Sequence, residues 1–252
     1  MVFEKKIIGH RGAAAHAPEN TLVAFENARA LNCHCIEFDV MLSVDGEAFV
    51  FHDDTLHRTT NGFGKFGLAT SQYLKSLDAG RWFSKAFRGE KIPTFREVLE
   101  WLALSEMHAN VEIKPFPGST EQTTLAVLHH IRDYWPVGKA LPLVSSFDVQ
   151  ALVMCHRLAP ELPLGLLLHH WDEHWKRLAD DLNCVSVHLN RHIATKSRVH
   201  AIKKAGFLVY VYTVNSKRLA TKLFDWGVDA VFSDYLVLNM KTKYQLMVRR
   251  LI

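Results

Sequence analysis

Short apolar segments recur along the chain, and most are followed by a stretch in which apolar residues return every three or four positions. The first pattern is typical of buried strands, and the second of helices that cover a sheet. The predicted strands are 7–10, 35–43, 48–52, 109–114, 142–146, 162–168, 185–189, 207–214 and 230–233. The clearest predicted helices are 21–31, 94–102, 120–134, 149–158, 196–204 and 217–226. This alternation predicts an α/β fold built around a parallel sheet.

One predicted strand breaks the alternation, because segment 48–52 follows 35–43 with no helix between them. Asp45 and Gly46 separate the two segments, and this pair of residues suits the type I′ turn of a hairpin. The remaining eight strands and their helices predict a TIM (β/α)8 barrel. An open, doubly wound sheet is the competing architecture, but no GxGxxG motif follows the first strand.

Residues 53–92 carry no clear barrel strand, and we expect them to form an insertion on a loop after the second strand. The whole chain, 1–252, is therefore predicted to be one domain with this insertion. Four aromatic side chains of the insertion would either line a functional site or form a small core of their own. They are Phe63, Phe66, Trp82 and Phe83.

Composition narrows the classes of function. The chain has 252 residues, of which 48% are apolar, so it can bury a large core without disulfides or structural metals. Its net charge is +4, with scattered cations and one dense basic stretch at 241–250. This balance disfavours a dedicated nucleic-acid binder and leaves anionic small molecules as partners. No secretory signal is recognisable, and no apolar run reaches the ~18 residues of a membrane span.

The four cysteines lack the CxxC spacing of a common zinc or redox motif. Cys33 and Cys35 flank His34 and could suggest a metal site, but no second pair of ligands accompanies them. We interpret all four as structural thiols, which suits a reducing compartment, and we expect a cytoplasmic protein.

Two carboxylates are expected to face the interior of the barrel from the second predicted strand. Ile36, Phe38 and Val40 alternate there with Glu37 and Asp39. Because successive side chains of a strand point to opposite faces, the apolar set would face the helices and the acidic pair the interior. Buried carboxylates are costly unless a cation meets them.

A later strand repeats this pattern, since Val111 and Ile113 alternate with Glu112 and Lys114. Three carboxylates near strand ends would form an oxygen-rich site that suits Mg²⁺ or Ca²⁺ better than zinc. The alternative is a buried network of ion pairs, in which Lys114 and Arg11 neutralise the three acids.

Two of the 15 histidines, His10 and His52, each close a predicted strand, which is where TIM barrels carry catalytic groups. Beside a divalent cation, two histidines suit a general base and a general acid that cleave an ester. Arg11 and Lys114 then suit an anionic group, most simply a phosphate. Five other histidines are interpreted as incidental: His129, His130, His169, His170 and His174.

Nine short motifs follow one another over nearly the whole chain and are densest before residue 115. They are HRG (10–12), APENT (17–21), EFDV (37–40), FHDDTL (51–56), RTTNG (58–62), LDAGRWFSKAF (77–87), IPT (92–94), VEIK (111–114) and TVN (213–215). One such motif alone would mean little, whereas the ordered series is highly specific. Together they resemble the glycerophosphodiester phosphodiesterases, and most closely the cytosolic bacterial kind.

The resemblance implies a TIM barrel with a cap inserted after its second strand. It also implies hydrolysis of glycerophosphodiesters to sn-glycerol 3-phosphate and an alcohol, with one divalent cation, Mg²⁺ or Ca²⁺. Carried over motif by motif, the roles are a cation site of Glu37, Asp39 and Glu112, an acid–base pair of His10 and His52, and a phosphate clamp of Arg11 and Lys114. Glu19 is expected near the cation, and Asn20 is expected to cap the first helix.

The sequence departs from the family pattern at two places. Tyr212 stands where the family often has tryptophan before TVN, so the wall that contacts the glycerol is expected to differ. The last strand runs into SDYL at 233–236, where a proline commonly ends the motif. Both departures concern the preferred headgroup and leave the expected cation and acid–base residues unchanged.

Several alternatives stay open at this point. A lysophospholipase D-like enzyme on the same barrel would act on lipid substrates, and a barrel without catalytic activity would serve as a binding module. The sequence does not separate Mg²⁺ from Ca²⁺ or choose the headgroup. It also leaves open whether water or the glycerol 2-hydroxyl attacks, although we favour His10 as base and His52 as acid. It does not define the oligomeric state.

Overall fold

The computed structural model describes residues 6–236. The strands of this part of the chain are β1 (Lys6–His10), β2 (Cys35–Leu42), β3 (Ala48–Val50), β4 (His108–Ile113), β5 (Leu143–Ser146), β6 (Leu164–Leu168), β7 (Cys184–Asn190), β8 (Leu208–Tyr212) and β9 (Ala230–Ser233). Its helices are α1 (Leu22–Ala30), α2 (Ser71–Ser76), α3 (Phe95–Leu104), α4 (Thr120–Tyr134), α5 (Val149–Leu158), α6 (Trp175–Asp181), α7 (Lys196–Lys204) and α8 (Lys217–Asp225). Two 3₁₀ turns, Phe66–Leu68 and Lys85–Phe87, lie between β3 and α3.

Eight parallel strands close into a barrel in the order β1-β9-β8-β7-β6-β5-β4-β2, with β1 paired again to β2. Alternate residues of each strand face the surrounding helices. Ile36, Phe38 and Val40, for example, belong to the main apolar cluster between sheet and helices. The predicted TIM barrel is therefore confirmed.

Strand β3 lies outside the barrel and pairs antiparallel with β2, as predicted for a hairpin. The type I′ turn, however, is wrong. Ser43 N donates to Glu47 O at 2.9 Å and Gly46 N donates to Ser43 O at 3.1 Å, so the loop holds three residues. The Asp45 carboxylate accepts hydrogen bonds from the backbone N and hydroxyl of Ser71, and this contact ties the loop to α2.

Helix α1 begins one residue later than expected. Thr21 is its N-cap, and the Thr21 hydroxyl accepts a hydrogen bond from Ala24 N. Asn20 instead has a φ of 57° and donates its side-chain amide to Oδ2 of Asp39 at 2.9 Å. The predicted cap at Asn20 is thus wrong, because this side chain supports a residue of the barrel interior.

Two short helices, α2 and α6, were not among the predicted helices. They contain six and seven residues, and α6 buries only Trp175 and Ala179. Segments of this length give too few apolar repeats to show a helical period.

The segment between β3 and α3 packs around its own small core. This second apolar cluster consists of Met41, Phe49, Phe51, Leu56, Phe66, Ala69, Leu74, Leu77, Ala79 and Ile92. Because Met41 and Phe49 belong to β2 and β3, the cluster fastens the segment to the hairpin. Of the four aromatic residues named above, Phe66 is fully buried in this cluster, whereas Phe63 is 80% exposed.

Gly12 follows β1 in a turn that only glycine fits well. Its φ is 85°, and a Cβ atom there would lie 2.8 Å from the backbone C of Ala24 in α1. Gly46 is the matched control, since its φ is 88° but a Cβ atom there would meet nothing within 4 Å. We expect Gly46→Ala to cost about 1–2 kcal/mol for the left-handed conformation. Gly12→Ala should cost about 1–3 kcal/mol more, because it adds the steric clash.

Equilibrium unfolding in urea measures both variants. An equal loss of unfolding free energy in the two would show that contact with α1 does not constrain Gly12.

Within residues 6–236, no helix combines the length and apolar character needed to cross a bilayer. The basic stretch predicted at 241–250 lies outside the described residues.

Candidate active site

A cleft of about 430 Å³ opens at the carboxyl ends of the barrel strands, and we call it the barrel cleft. Residues that line it follow or end their strands, as His10 ends β1, Lys114 follows β4 and Phe147 follows β5. All eight residues predicted for the site line the barrel cleft: His10, Arg11, Glu37, Asp39, His52, Glu112, Lys114 and Tyr212. This is the end of a TIM barrel where catalytic groups are found.

Three buried carboxylates form the floor of the cleft on the β2–β4 side. Glu37, Asp39 and Glu112 each offer an oxygen, and these oxygens lie within 4.8 Å of one another. Strand register explains the proximity, since Asp39 is directly opposite Glu112 in the β2–β4 pair. Among the described residues this is the group of His, Cys, Asp and Glu side chains close enough to hold a metal ion.

The charges of this cluster are not balanced by the neighbouring cations. Arg11 Nε lies 3.4 Å from Oδ2 of Asp39, and Lys114 Nζ lies 4.0 Å from its Oδ1. Glu37 and Glu112 have no ion pair to a described residue, although Glu37 accepts a hydrogen bond from Arg11 N at 3.0 Å. A self-contained network of ion pairs, the alternative raised from the sequence, would leave both glutamates uncompensated.

Burial and neighbouring charges shift the pKa values of the three carboxyl groups. Burial and the nearby charge of Asp39 raise the pKa of Glu112 to about 8. Burial, Asp39 and Glu112 likewise raise the pKa of Glu37 well above its ordinary value. Asp39 differs: burial acts to raise its pKa, but Arg11, His52 and Lys114 outweigh it and lower the value to about 2. Both glutamates are therefore harder to ionise than ordinary carboxyl groups, a divalent cation would offset that cost, and the donor set fits such a cation.

Arg11 bridges the acidic cluster and the mouth of the cleft. Although burial acts to lower it, the charges of Asp39, Glu19 and Glu37 hold the pKa of Arg11 above its usual range. Its Nη1 atom donates to Oε1 of Glu19 at 2.5 Å. Arg11 and Lys114 thus place two cationic groups beside three carboxylates, an arrangement that can bind phosphate oxygens next to a cation.

Both predicted histidines are held by a carboxylate at Nδ1. The Nδ1 atom of His10 lies 2.7 Å from Oδ1 of Asp234, and that of His52 lies 2.5 Å from Oδ1 of Asp53. This contact fixes the ring and its tautomer and leaves Nε2 as the nitrogen that can exchange a proton with a substrate.

Each of these aspartates has a second partner. Although burial acts to raise it, the bonds to His52 and Arg58 hold the pKa of Asp53 below its usual range. Likewise, bonds from His10 and Asn215 hold the pKa of Asp234 low against the effect of burial. Neither aspartate was predicted to have a role in the site. The position of Asp53 directly after His52 could have indicated its contact with that histidine, whereas Asp234 approaches His10 only when the barrel closes.

Glu19 does not belong to the group of three carboxylates that could hold a metal ion. It accepts hydrogen bonds from Arg11 and, through both of its oxygens, from Arg58. Although burial acts to raise it, the bonds from Arg58 and Arg11 lower the pKa of Glu19. Both arginines neutralise its charge, so Glu19 connects cationic side chains.

The opposite side of the cleft is formed by residues that follow β5–β8. The Tyr212 hydroxyl donates to Leu168 O at 2.9 Å, and the Tyr212 ring meets Phe147 edge to face with centroids 5.7 Å apart. His169 also lines this wall. None of the four aromatic residues predicted as possible lining of the site contributes to the cleft.

His188 and Asn110 lie at the bottom of the cleft and were missed from the sequence. His188 is fully buried, its Nε2 lies 2.8 Å from the Ser186 hydroxyl, and burial lowers its pKa to about 3. It is therefore neutral and differs from His10 and His52, which have carboxylate partners. Asn110 and His188 alternate with apolar residues of β4 and β7, and this alternation is the sequence signal that places them on the interior face.

Comparison with known proteins agrees with this geometry. Residues 10–238 match the model of the glycerophosphoryl diester phosphodiesterase family. A glycerophosphodiester phosphodiesterase of Caldanaerobacter subterraneus is 35% identical over 90% of this chain and 93% of its own length. One of Bacillus subtilis is 31% identical over 94% of this chain and 85% of its own length.

Solved structures show the same fold. The structure of a phosphodiesterase of Oleispira antarctica in complex with the product sn-glycerol-3-phosphate superimposes with a TM-score of 0.89. That protein is 38% identical, and the match covers 92% of this chain and 94% of its own. By sequence and by fold, the chain belongs to the glycerophosphoryl diester phosphodiesterase family.

Proposed function

We propose that this protein hydrolyses glycerophosphodiesters to sn-glycerol 3-phosphate and an alcohol. The observation that carries the proposal is the barrel cleft, which combines an unbalanced cluster of three carboxylates with two cationic side chains and two histidines backed by carboxylates. The Oleispira relative supports the choice of product, because its structure contains sn-glycerol-3-phosphate.

A divalent cation, Mg²⁺ or Ca²⁺, would be held by Glu37, Asp39 and Glu112. When bound, such a cation polarises phosphate oxygens and neutralises charge that develops on them. The raised pKa values of Glu37 and Glu112 support this assignment, because both carboxyl groups are buried beside the charge of Asp39 and a divalent cation would offset the cost of ionising them.

The side chains around the cluster would bind and orient the diester. Arg11 and Lys114 would hold the phosphate oxygens, and the wall that includes Tyr212 would contact the glycerol. These groups stand on rigid strand ends, so they can place the phosphorus in line between the two histidines.

Proton transfer would take place at the Nε2 atoms of the two histidines. His10 would remove the proton of the attacking oxygen, which belongs either to water or to the glycerol 2-hydroxyl, and His52 would protonate the departing alcohol. Attack by the 2-hydroxyl would give a cyclic phosphate, which water must then open to yield sn-glycerol 3-phosphate. The side chain of His52 is 28% exposed and that of His10 is 18% exposed, which supports placing the departing alcohol beside His52. Asp53 and Asp234 would stabilise each ring when it carries a second proton.

The cysteines support a reducing compartment, and we propose the cytoplasm. All four side chains are buried thiols: Cys33, Cys35, Cys155 and Cys184.

The activity test compares two substrates with the purified protein and both cations present. Glycerophosphocholine should release sn-glycerol 3-phosphate, measured with a coupled dehydrogenase. Lysophosphatidylcholine carries an acyl chain, and its cleavage would release choline. If choline release from lysophosphatidylcholine is faster than sn-glycerol 3-phosphate release from glycerophosphocholine, the lysophospholipase D-like function is favoured instead. No reaction with either substrate would contradict the proposed function.

A further inference from the structure

One arginine joins the segment between β3 and α3 to the barrel. The guanidinium of Arg58 donates from Nη1 and Nη2 to the two oxygens of Glu19, both at 2.7 Å. It also donates from Nε and Nη2 to the two oxygens of Asp53, at 2.5 and 2.9 Å. Each carboxylate is thus bound in the bidentate geometry that suits the planar fork of arginine.

The two carboxylates in turn hold residues of the barrel cleft. Asp53 accepts a hydrogen bond from Nδ1 of His52 at 2.5 Å, and Glu19 accepts one from Nη1 of Arg11 at 2.5 Å. Arg58 is therefore the middle of an unbroken chain of hydrogen-bonded side chains that runs from His52 to Arg11. Arg58 itself does not line the cleft.

The support of the other histidine is built differently. Asp234, which holds His10, is bound by the side-chain amide of Asn215 and donates its own backbone N–H to the Asn215 side chain. Asn215 and Asp234 follow β8 and β9, so this support lies within the barrel. The support of His52 instead crosses from the β3–α3 segment to the loop after β1.

We propose that Arg58 is a positioning residue that fixes His52 through Asp53 and aligns it, through Glu19, with the phosphate clamp Arg11. The inference rests on the proposed function, in which His52 exchanges a proton with the substrate. A carboxylate at Nδ1 orients a histidine only as well as the carboxylate is itself held. A small displacement of a proton-transfer group is costly, because the reacting atoms must be closely aligned.

A purely stabilising role would have a different signature. The side chain of Arg58 is 42% exposed, and exposed ion pairs contribute little to folding stability. Loss of Arg58 should therefore change turnover far more than it changes the melting temperature.

The test measures kcat and KM for glycerophosphocholine in Arg58→Met, which keeps the length of the side chain and removes its fork. We expect kcat to fall about 10–100-fold while KM changes much less. Arg58→Lys should recover only part of the activity, because a single ammonium cannot bind both carboxylates bidentately. Arg88→Met is the matched control, since Arg88 is exposed in the same segment and should leave kcat unchanged.

Asp53→Asn tells whether Arg58 acts through Asp53. We expect the double variant Asp53→Asn/Arg58→Met to have the same kcat as Asp53→Asn alone, because both changes remove the support of His52. Independent losses that multiply would overturn the inference, and so would an Arg58→Met enzyme as fast as the wild type. If Arg58→Met does not fold, Arg58→Lys replaces it in the same comparison of single and double variants.

The wild-type reaction separates this inference from the proposed function. A wild-type protein that does not cleave glycerophosphocholine would contradict both. Normal wild-type turnover with unchanged Arg58 variants would contradict only the role of Arg58.

Discussion

Replacement of His52 by alanine is expected to lower kcat for glycerophosphocholine by about 10²–10⁴-fold, and His10→Ala by a similar factor. The reason is that both imidazoles line the cleft while a carboxylate holds each Nδ1. Both side chains are only partly buried, so folding should survive their removal. Initial rates of sn-glycerol 3-phosphate release, together with thermal melting, measure the effect.

His129→Ala is the matched control, because His129 is exposed on α4 and does not line the cleft. It should retain the full rate. The double variant His10→Ala/His52→Ala should be close to inactive, and a double variant with substantial turnover would contradict the acid–base assignment.

Replacement of Glu112 by glutamine is expected to abolish most activity and to stabilise the protein in chelator. Turnover should fall at least about 10²-fold, since losing a ligand should exceed the 10–100-fold typical of its supporting contacts. In chelator, however, the change removes a buried carboxylate that no described cation pairs. A gain of about 1 kcal/mol would raise the melting temperature by about 2–4 °C.

The pH dependence of this gain follows from the pKa of Glu112. That value is about 8 in the folded protein, above the roughly 4.3 of an unfolded glutamate. A proton on Glu112 therefore stabilises the chelator-treated wild type below about pH 4.3, and this contribution is lost as the pH rises through 8. Glu112→Gln has no such pH-dependent contribution, so its stability relative to the wild type should increase as the pH rises from about 4.3 to 8.

The matched control is Glu121→Gln, because Glu121 is exposed in the first turn of α4. It should change neither activity nor the melting temperature. A Glu112→Gln protein that melts below the wild type in chelator at pH 8 would show that the cluster is electrostatically balanced without a cation.

The barrel and its interior residues could be predicted because strand periodicity is a local property. Glu37 and Asp39 alternate with apolar neighbours, and this alternation alone places them on the interior face. The partners of the histidines are different. Asp234 and His10 are 224 positions apart, and their contact depends on closure between β1 and β9.

Local sequence patterns do not predict the contacts of a side chain that binds a residue distant in the sequence. Asn20 is a residue type that often caps helices, yet its amide donates to Asp39 and Thr21 is the N-cap of α1. At Asn20 the tertiary contact outweighs the local preference. Glu19 is bound by two arginines, and Arg58 lies 39 positions away, so no local pattern indicates that contact.

The central claim is that the carboxylate cluster makes cleavage of glycerophosphodiesters depend on a divalent cation. The most direct measurement strips the wild-type protein with chelator, removes the chelator, and follows sn-glycerol 3-phosphate release from glycerophosphocholine as Mg²⁺ or Ca²⁺ is added separately. The account predicts no release before addition and a saturable return of activity with at least one ion, which Glu112→Gln fails to show. Full release from the stripped protein would contradict it.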